Sequence, residues 1–164
     1  MVTIYTTGRV YDFVIDRTAE DAARWKELHD KGWAAMTEAE RIEWAGGMKG
    51  AYNHTDMNRV ESAVADLAAR FAERGTILSL TTNTNWAGTG RPTKSDMRRY
   101  FGNVEALRQA TGVTLNAPPT PTVDTLFDYQ KANDLEEIIL AVARWLDSVE
   151  ESWYYSGELK SGEV

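Results

Sequence analysis

The sequence predicts a mainly α-helical bundle of about five helices with a small β element. Three observations lead there. Helix-start chemistry recurs along the chain, long segments carry apolar residues at spacings of three and four, and β-like alternation is confined to two short runs. At 164 residues the chain is long enough for one good core and too short for two ordinary domains, so residues 1–164 read as a single domain.

The opening, MVTIYTTGRVYDFVI, alternates around Thr7-Gly8 as a hairpin does, and TILSLTT from Thr76 is rich in β-branched residues. The β element is therefore an N-terminal hairpin over 1–16, a strand near 76–82, or both. An exposed edge here would alternatively pair with another chain. TAED from Thr18 starts a short helix carrying Ala22, Trp25 and Leu28, and it stops at Gly32. TEAE from Thr37 is a capping box that opens a second helix, which ends at Gly46-Gly47. Together they suggest a helical hairpin over 17–50.

Residues 51–153 hold three more helix starts. TDMNRVESAVADLAARF, from Thr55, places Met57, Val60, Ala63, Val64, Leu67 and Phe71 on one stripe. SDMRRYFGNVEAL, from Ser95, matches it at Asp96, Met97, Arg99, Val104 and Leu107. NDLEEIILAVARW, from Asn133, matches it at Asp134, Leu135, Ile138, Ala141, Val142 and Trp145, and this last helix is expected over about 133–153. Either an internal duplication or recurring helix-start chemistry accounts for the likeness. In both cases Thr55, Ser95 and Asn133 read as N-caps followed by an acid. LNAPPTPTVD, Leu115 to Asp124, is a stiff connector.

GTGRPTKSD, Gly88 to Asp96, lies one residue away from a phosphate-binding loop. Thr93 occupies the place of the second glycine, Pro92 removes an N–H, and Lys94-Ser95-Asp96 is explained as a helix start. No nucleotide site is assigned. With no cysteine, thiolate chemistry and disulfides are excluded, and two histidines, His29 and His54, do not assemble a familiar zinc spacing. Neither histidine has a recognisable nucleophile elbow nearby. The acid pairs Glu136-Glu137 and Glu150-Glu151 are adjacent on helices and read as a solvated face. No catalytic, cofactor-binding or metal residue is expected, and a small hydrolase using His29 or His54 ranks last among the readings.

The formal charge of −7, with basic residues interleaved among acids, argues against nucleic acid as a partner. The N-terminus lacks the pattern of an export signal, and no window approaches the ~20 apolar residues needed to span a bilayer. Neither export nor a membrane anchor is expected. The most unusual local feature is WYYSGELKSGEV from Trp153, where three aromatics fall at a helix end and SGE occurs twice over an aromatic/SGE tail, 154–164. Trp153, Tyr154 and Tyr155, with Trp86 in the polar loop NTNWAGTGRP, are the interaction candidates, able to stack on a sugar or dock into a neighbouring subunit.

GWAAMTEAERIEWAGGMKGAYNHTDMNRVE, Gly32 to Glu61, resembles a segment of small tail and structural-region proteins encoded by phages and prophages of Gram-positive bacteria. DRTAEDAARWKELHDKG, TNTNW followed by PTKSDMRRYFGNVEALR, and WYYSGELKSGE look like the same family's other blocks, so the resemblance spans nearly the whole chain. It brings no catalytic motif to a numbered position. What it implies is a virion assembled in the bacterial cytoplasm, with other phage structural proteins or further copies of the chain as partners. The alternative expectation, from a different class, is a receptor- or carbohydrate-binding module using its exposed aromatics.

Overall fold

The computed structural model describes the backbone of residues 2–6, 9–88 and 91–158, and the side chains of 11–88 and 91–152. Strands β1 (Val2–Thr6) and β2 (Arg9–Phe13) pair antiparallel, from Val2↔Phe13 to Thr6↔Arg9. The expected hairpin forms, and Thr7 and Gly8 lie outside the described residues. Tyr11 and Phe13, two positions apart on one face of β2, stack at 5.8 Å and are buried in the core.

Helix α1 (Ala19–Lys31) and helix α2 (Glu38–Ala45) each begin with a complete capping box, Thr18 with Asp21 and Thr37 with Glu40. The expected helical hairpin is present, but it is a peripheral arm. α1 buries only Leu28 and α2 buries no residue, while Arg24–Glu43 at 2.8 Å and Lys31–Glu40 at 2.7 Å tie the two together. Such exposed pairs contribute little, typically ~0–1 kcal/mol. A firmer constraint is a close backbone approach, since a Cβ on Gly50 would sit 2.0 Å from the Asp21 carbonyl oxygen. Gly50→Ala is expected to lower stability by about 1–3 kcal/mol, by analogy with overpacking, read as a drop in the thermal midpoint. An unchanged melt would show that the 46–50 loop lifts freely from α1.

The core lies among helices α3 (His54–Glu73), α4 (Lys94–Ala110) and α5 (Tyr129–Glu158). All six stripe residues expected on α3 are buried. Side-chain pairings fix the direction of the helices. Arg59 reaches Glu136 and Arg70 reaches Asp147, both across the same 77 positions, so α3 and α5 run parallel in constant register. α4 packs along both, with Arg99 on Glu61, Tyr100 on Tyr52 and Phe101 on Phe127, so its start lies level with the other two starts. Three parallel helices need long return connections, which the chain supplies in 74–93 and 111–128.

Four expectations need correction. TILSLTT forms no strand: Leu78 and Leu80 turn toward the core while Ile77 is 86% exposed, but no second strand lies alongside among the described residues. Its polar backbone is met by helix side chains instead, with Arg99 and Asn103 donating to the Thr81 carbonyl. The N-caps also shift. Asn53 and Thr93 cap α3 and α4, because the acids Asp56 and Asp96 occupy the third helical position, where a capping box needs them. Asn133 lies inside α5, which starts at Tyr129 and runs to Glu158, and Asp128 accepts the Lys131 N–H at its start. Finally, Glu136 is not on a solvated face, as it is completely buried.

At the far end of the bundle Tyr11 donates to Asp66, and buried Arg70 binds Asp147 and Glu150. Burial first, and then the Asp66 carboxylate, push the Tyr11 phenol from 10.0 up to about 12. Because the folded value exceeds the unfolded one, stability from neutral Tyr11 is complete below pH 10 and is lost as pH rises through 12. At about 1.4 kcal/mol per unit the loss amounts to roughly 2–3 kcal/mol. Urea denaturation across that window should fall less steeply for Tyr11→Phe than for the unsubstituted chain, and parallel curves would contradict the assignment.

Candidate functional site: an aromatic groove at the helix starts

Because the three helices are parallel, the aromatic residues around their starts converge. Tyr52, just before α3, meets the Tyr100 hydroxyl of α4 and lies 5.0 Å edge-on from Phe127, just before α5. Burial, and for Tyr52 next the Glu136 charge, hold both phenols well above their ordinary range, so this pair is neutral. The Arg17 guanidinium stands over the Tyr52 ring at 5.2 Å.

Arg17 is the centre of a buried charge cluster beneath these rings. It bonds Glu136 at 2.8 Å and Asp56 at 3.1 Å, and Arg59 bonds the same two carboxylates at 2.9 and 2.7 Å. Glu136 also accepts the Val14 N–H at 2.8 Å, while the Asn133 amide brackets the Arg17 backbone at 3.1 and 2.9 Å. Four charges and three backbone hydrogen bonds thus lock the segment after β2 onto the start of α5. The sequence signal for Glu136 was its place between Leu135 and Ile138-Ile139, on the apolar arc of its helix.

A second clasp positions the loop. Glu61, 1% exposed, binds Arg99 at 2.6 and 2.8 Å, accepts the Asn83 N–H at 2.9 Å and takes the Trp86 indole N–H at 3.2 Å. Asn58 brackets the Trp86 backbone at 2.6 and 3.0 Å, and Arg99 lies 5.9 Å from the indole centroid. The motif shared by α3 and α4 therefore has a structural meaning. Arg59 and Arg99, at matching positions, each hold a buried glutamate of a neighbouring helix.

Between this loop and α1 lies a groove of about 530 Å³, lined by Trp25, Tyr52, Met57, Trp86, Met97 and Phe127 with His29, His54 and Arg91. A second hollow of about 430 Å³ adjoins it and shares Trp25, Tyr52, Asn53 and Phe127. Trp25 stacks obliquely on His29, with ring centroids 5.0 Å apart. The His54 ring packs against Gly88, where a Cβ would come within 3.2 Å of it.

Of the candidate residues, Trp86 is half-buried and held by its backbone, indole N–H and ring, so its exposed part is one wall of the groove. The side chains of Trp153, Tyr154 and Tyr155 lie outside the described residues, although the α5 backbone continues through them. His29 and His54 meet on the same groove, which offers no Ser, Thr or carboxylate among its described lining residues. The Lys94-Ser95-Asp96 start is closed by its own capping box, with the Thr93 hydroxyl accepting the Asp96 N–H at 3.2 Å. Among the described residues no group of three or more His, Asp or Glu could hold a metal ion, and no helix is long and apolar enough to cross a membrane. No protein-family model, curated protein or solved structure matches the chain.

Proposed function

We propose that the chain is a phage-type virion or tail-associated structural or adaptor protein, assembled in the bacterial cytoplasm and acting through protein–protein packing rather than catalysis. The resemblance over nearly the whole sequence supports the setting, and the length of α5 supports the mode of action. α5 is level with the end of α3 at Glu150, which pairs with Arg70 and with Arg74, the residue that closes α3. It then continues over Glu151–Glu158, about 12 Å at 1.5 Å per residue. That extension carries Trp153, Tyr154 and Tyr155 in its sequence. Aromatics at the end of a protruding helix are what an interface anchor requires.

The test is peptide mass spectrometry on purified phage particles from a strain that carries the gene. The expected result is the chain at fixed stoichiometry to other particle proteins. Its absence from particles would overturn the reading.

A further inference from the structure

We propose that the aromatic groove at the helix starts receives the C-terminal end of α5 from a second copy of the chain, so that copies join head to tail. This rests on the assembly reading above and names the partner and the site.

The first argument is placement. Tyr129, the first residue of α5, lines the hollow that adjoins the groove, whereas Glu151–Glu158 end the same helix. A helix of 30 residues spans roughly 45 Å, so the two surfaces of one molecule lie at opposite ends and do not meet. The donor must come from another copy.

The second argument is charge. The chain carries −7 overall with its histidines counted neutral, yet the main groove is lined by Arg91, His29 and His54, with no carboxylate among the described lining residues. Asp30 lies 3.3 Å from His29 and also binds Lys26, and Asp128 is held by the Lys131 backbone and ammonium, which leaves His54 and Arg91 as the groups open to a partner. No hydrogen bond or ion pair engages His54 or Arg91 among the described residues. Residues 151–158 of the donor read ESWYYSGE, two acids and three aromatics, and Lys160 follows two positions later in the sequence. The acids meet Arg91, and aromatic side chains meet a wall of Trp, Tyr and Phe with two adaptable methionines, Met57 and Met97. The groove's volume of about 530 Å³ falls within the ~300–1,000 Å³ typical of sites that enclose a ligand.

Donor and receiver are different surfaces, so the contact is heterologous. It leaves one free end of each kind and propagates into a ring or a filament.

The experiment uses two variants of the full protein and reads mass by light scattering over a concentration series. Arg91→Glu with His54→Glu makes the groove acidic at two exposed positions, and Glu at the first helical position suits the helix dipole. Truncation after Ser152 removes the donor's three aromatics and Glu158. The unmodified chain is expected to associate increasingly with concentration, and each variant alone to remain a folded monomer by circular dichroism. Their equimolar mixture should give a one-to-one dimer and nothing larger, because only one complementary pair of surfaces remains. Adding Glu151→Lys and Glu158→Lys to the reversed groove should restore association.

An unmodified chain that stays monomeric overturns the proposal, as do variants that fail to pair on mixing. Association that survives groove reversal also overturns it, because the helix end would then dock elsewhere. Glycan-array binding lost on groove reversal, without self-association, would overturn it in favour of a carbohydrate ligand. None of these outcomes bears on whether the chain is present in particles, so the two readings fail separately.

Discussion

Glu136→Ala is expected to destabilise the protein by about 3–5 kcal/mol, the range for breaking a buried ion pair by removing one partner. Glu136 is completely buried, and its loss leaves Arg17 and Arg59 sharing Asp56 alone while the Val14 N–H loses its acceptor. The penalty is one of abandonment, since two guanidinium groups that stay desolvated no longer have enough negative charge nearby. Stabilities of domains this size are typically ~5–15 kcal/mol, so the urea midpoint should fall steeply. Replacing Arg17 and Glu136 together with apolar residues of similar volume should be far milder than Glu136→Ala, because Asp56 and Arg59 keep each other as partners and no charge is left stranded. A loss below about 1 kcal/mol for Glu136→Ala would mean that water reaches the cluster.

Glu61→Ala is the second large effect, again about 3–5 kcal/mol, but with a local signature. Glu61 alone gathers Arg99 from α4, the Asn83 backbone and the Trp86 indole. Without it the loop keeps only the Asn58 bracket and the Arg99 and Asn103 bonds to Thr81, so hydrogen exchange at the Asn83 and Trp86 amides should accelerate. Glu136→Ala should leave those two amides largely protected at matched stability. Equal acceleration in both variants would show that the loop opens only with the whole fold.

The helical class, the N-terminal hairpin and the α3 stripe were legible in the sequence, because apolar spacing and capping chemistry are local properties. Asp56 and Asp96 were recognised as helix-start acids, but their caps were placed two residues late at Thr55 and Ser95. The pattern Thr93-x-x-Asp96 held the right answer for α4. TILSLTT was misjudged for a different reason. Its alternation is real, with Leu78 and Leu80 inward, but a strand needs a neighbour, and only tertiary structure decides who that is. Glu136 looked solvated because an acid beside another acid on a helix usually is, and its partners lie 119 and 77 positions away. The groove was out of reach for the same reason. Trp25, Tyr52, Trp86 and Phe127 belong to four separate segments, and nothing short-range in the sequence says that they share a wall.

Parallel packing also dictates the order in which the protein can be completed. An up-and-down bundle closes contacts between neighbours in sequence as each helix appears, whereas here α3 finds its α5 partners 77 residues later. Arg17 waits still longer, for Asn133 and Glu136. A chain emerging from the ribosome carries three of the four members of its charge cluster, Arg17, Asp56 and Arg59, without the glutamate that balances them. Only when the last helix has been made can the first loop be fastened. Such non-local closure slows folding relative to a bundle of local contacts, and it makes the final helix the latch that commits the whole chain.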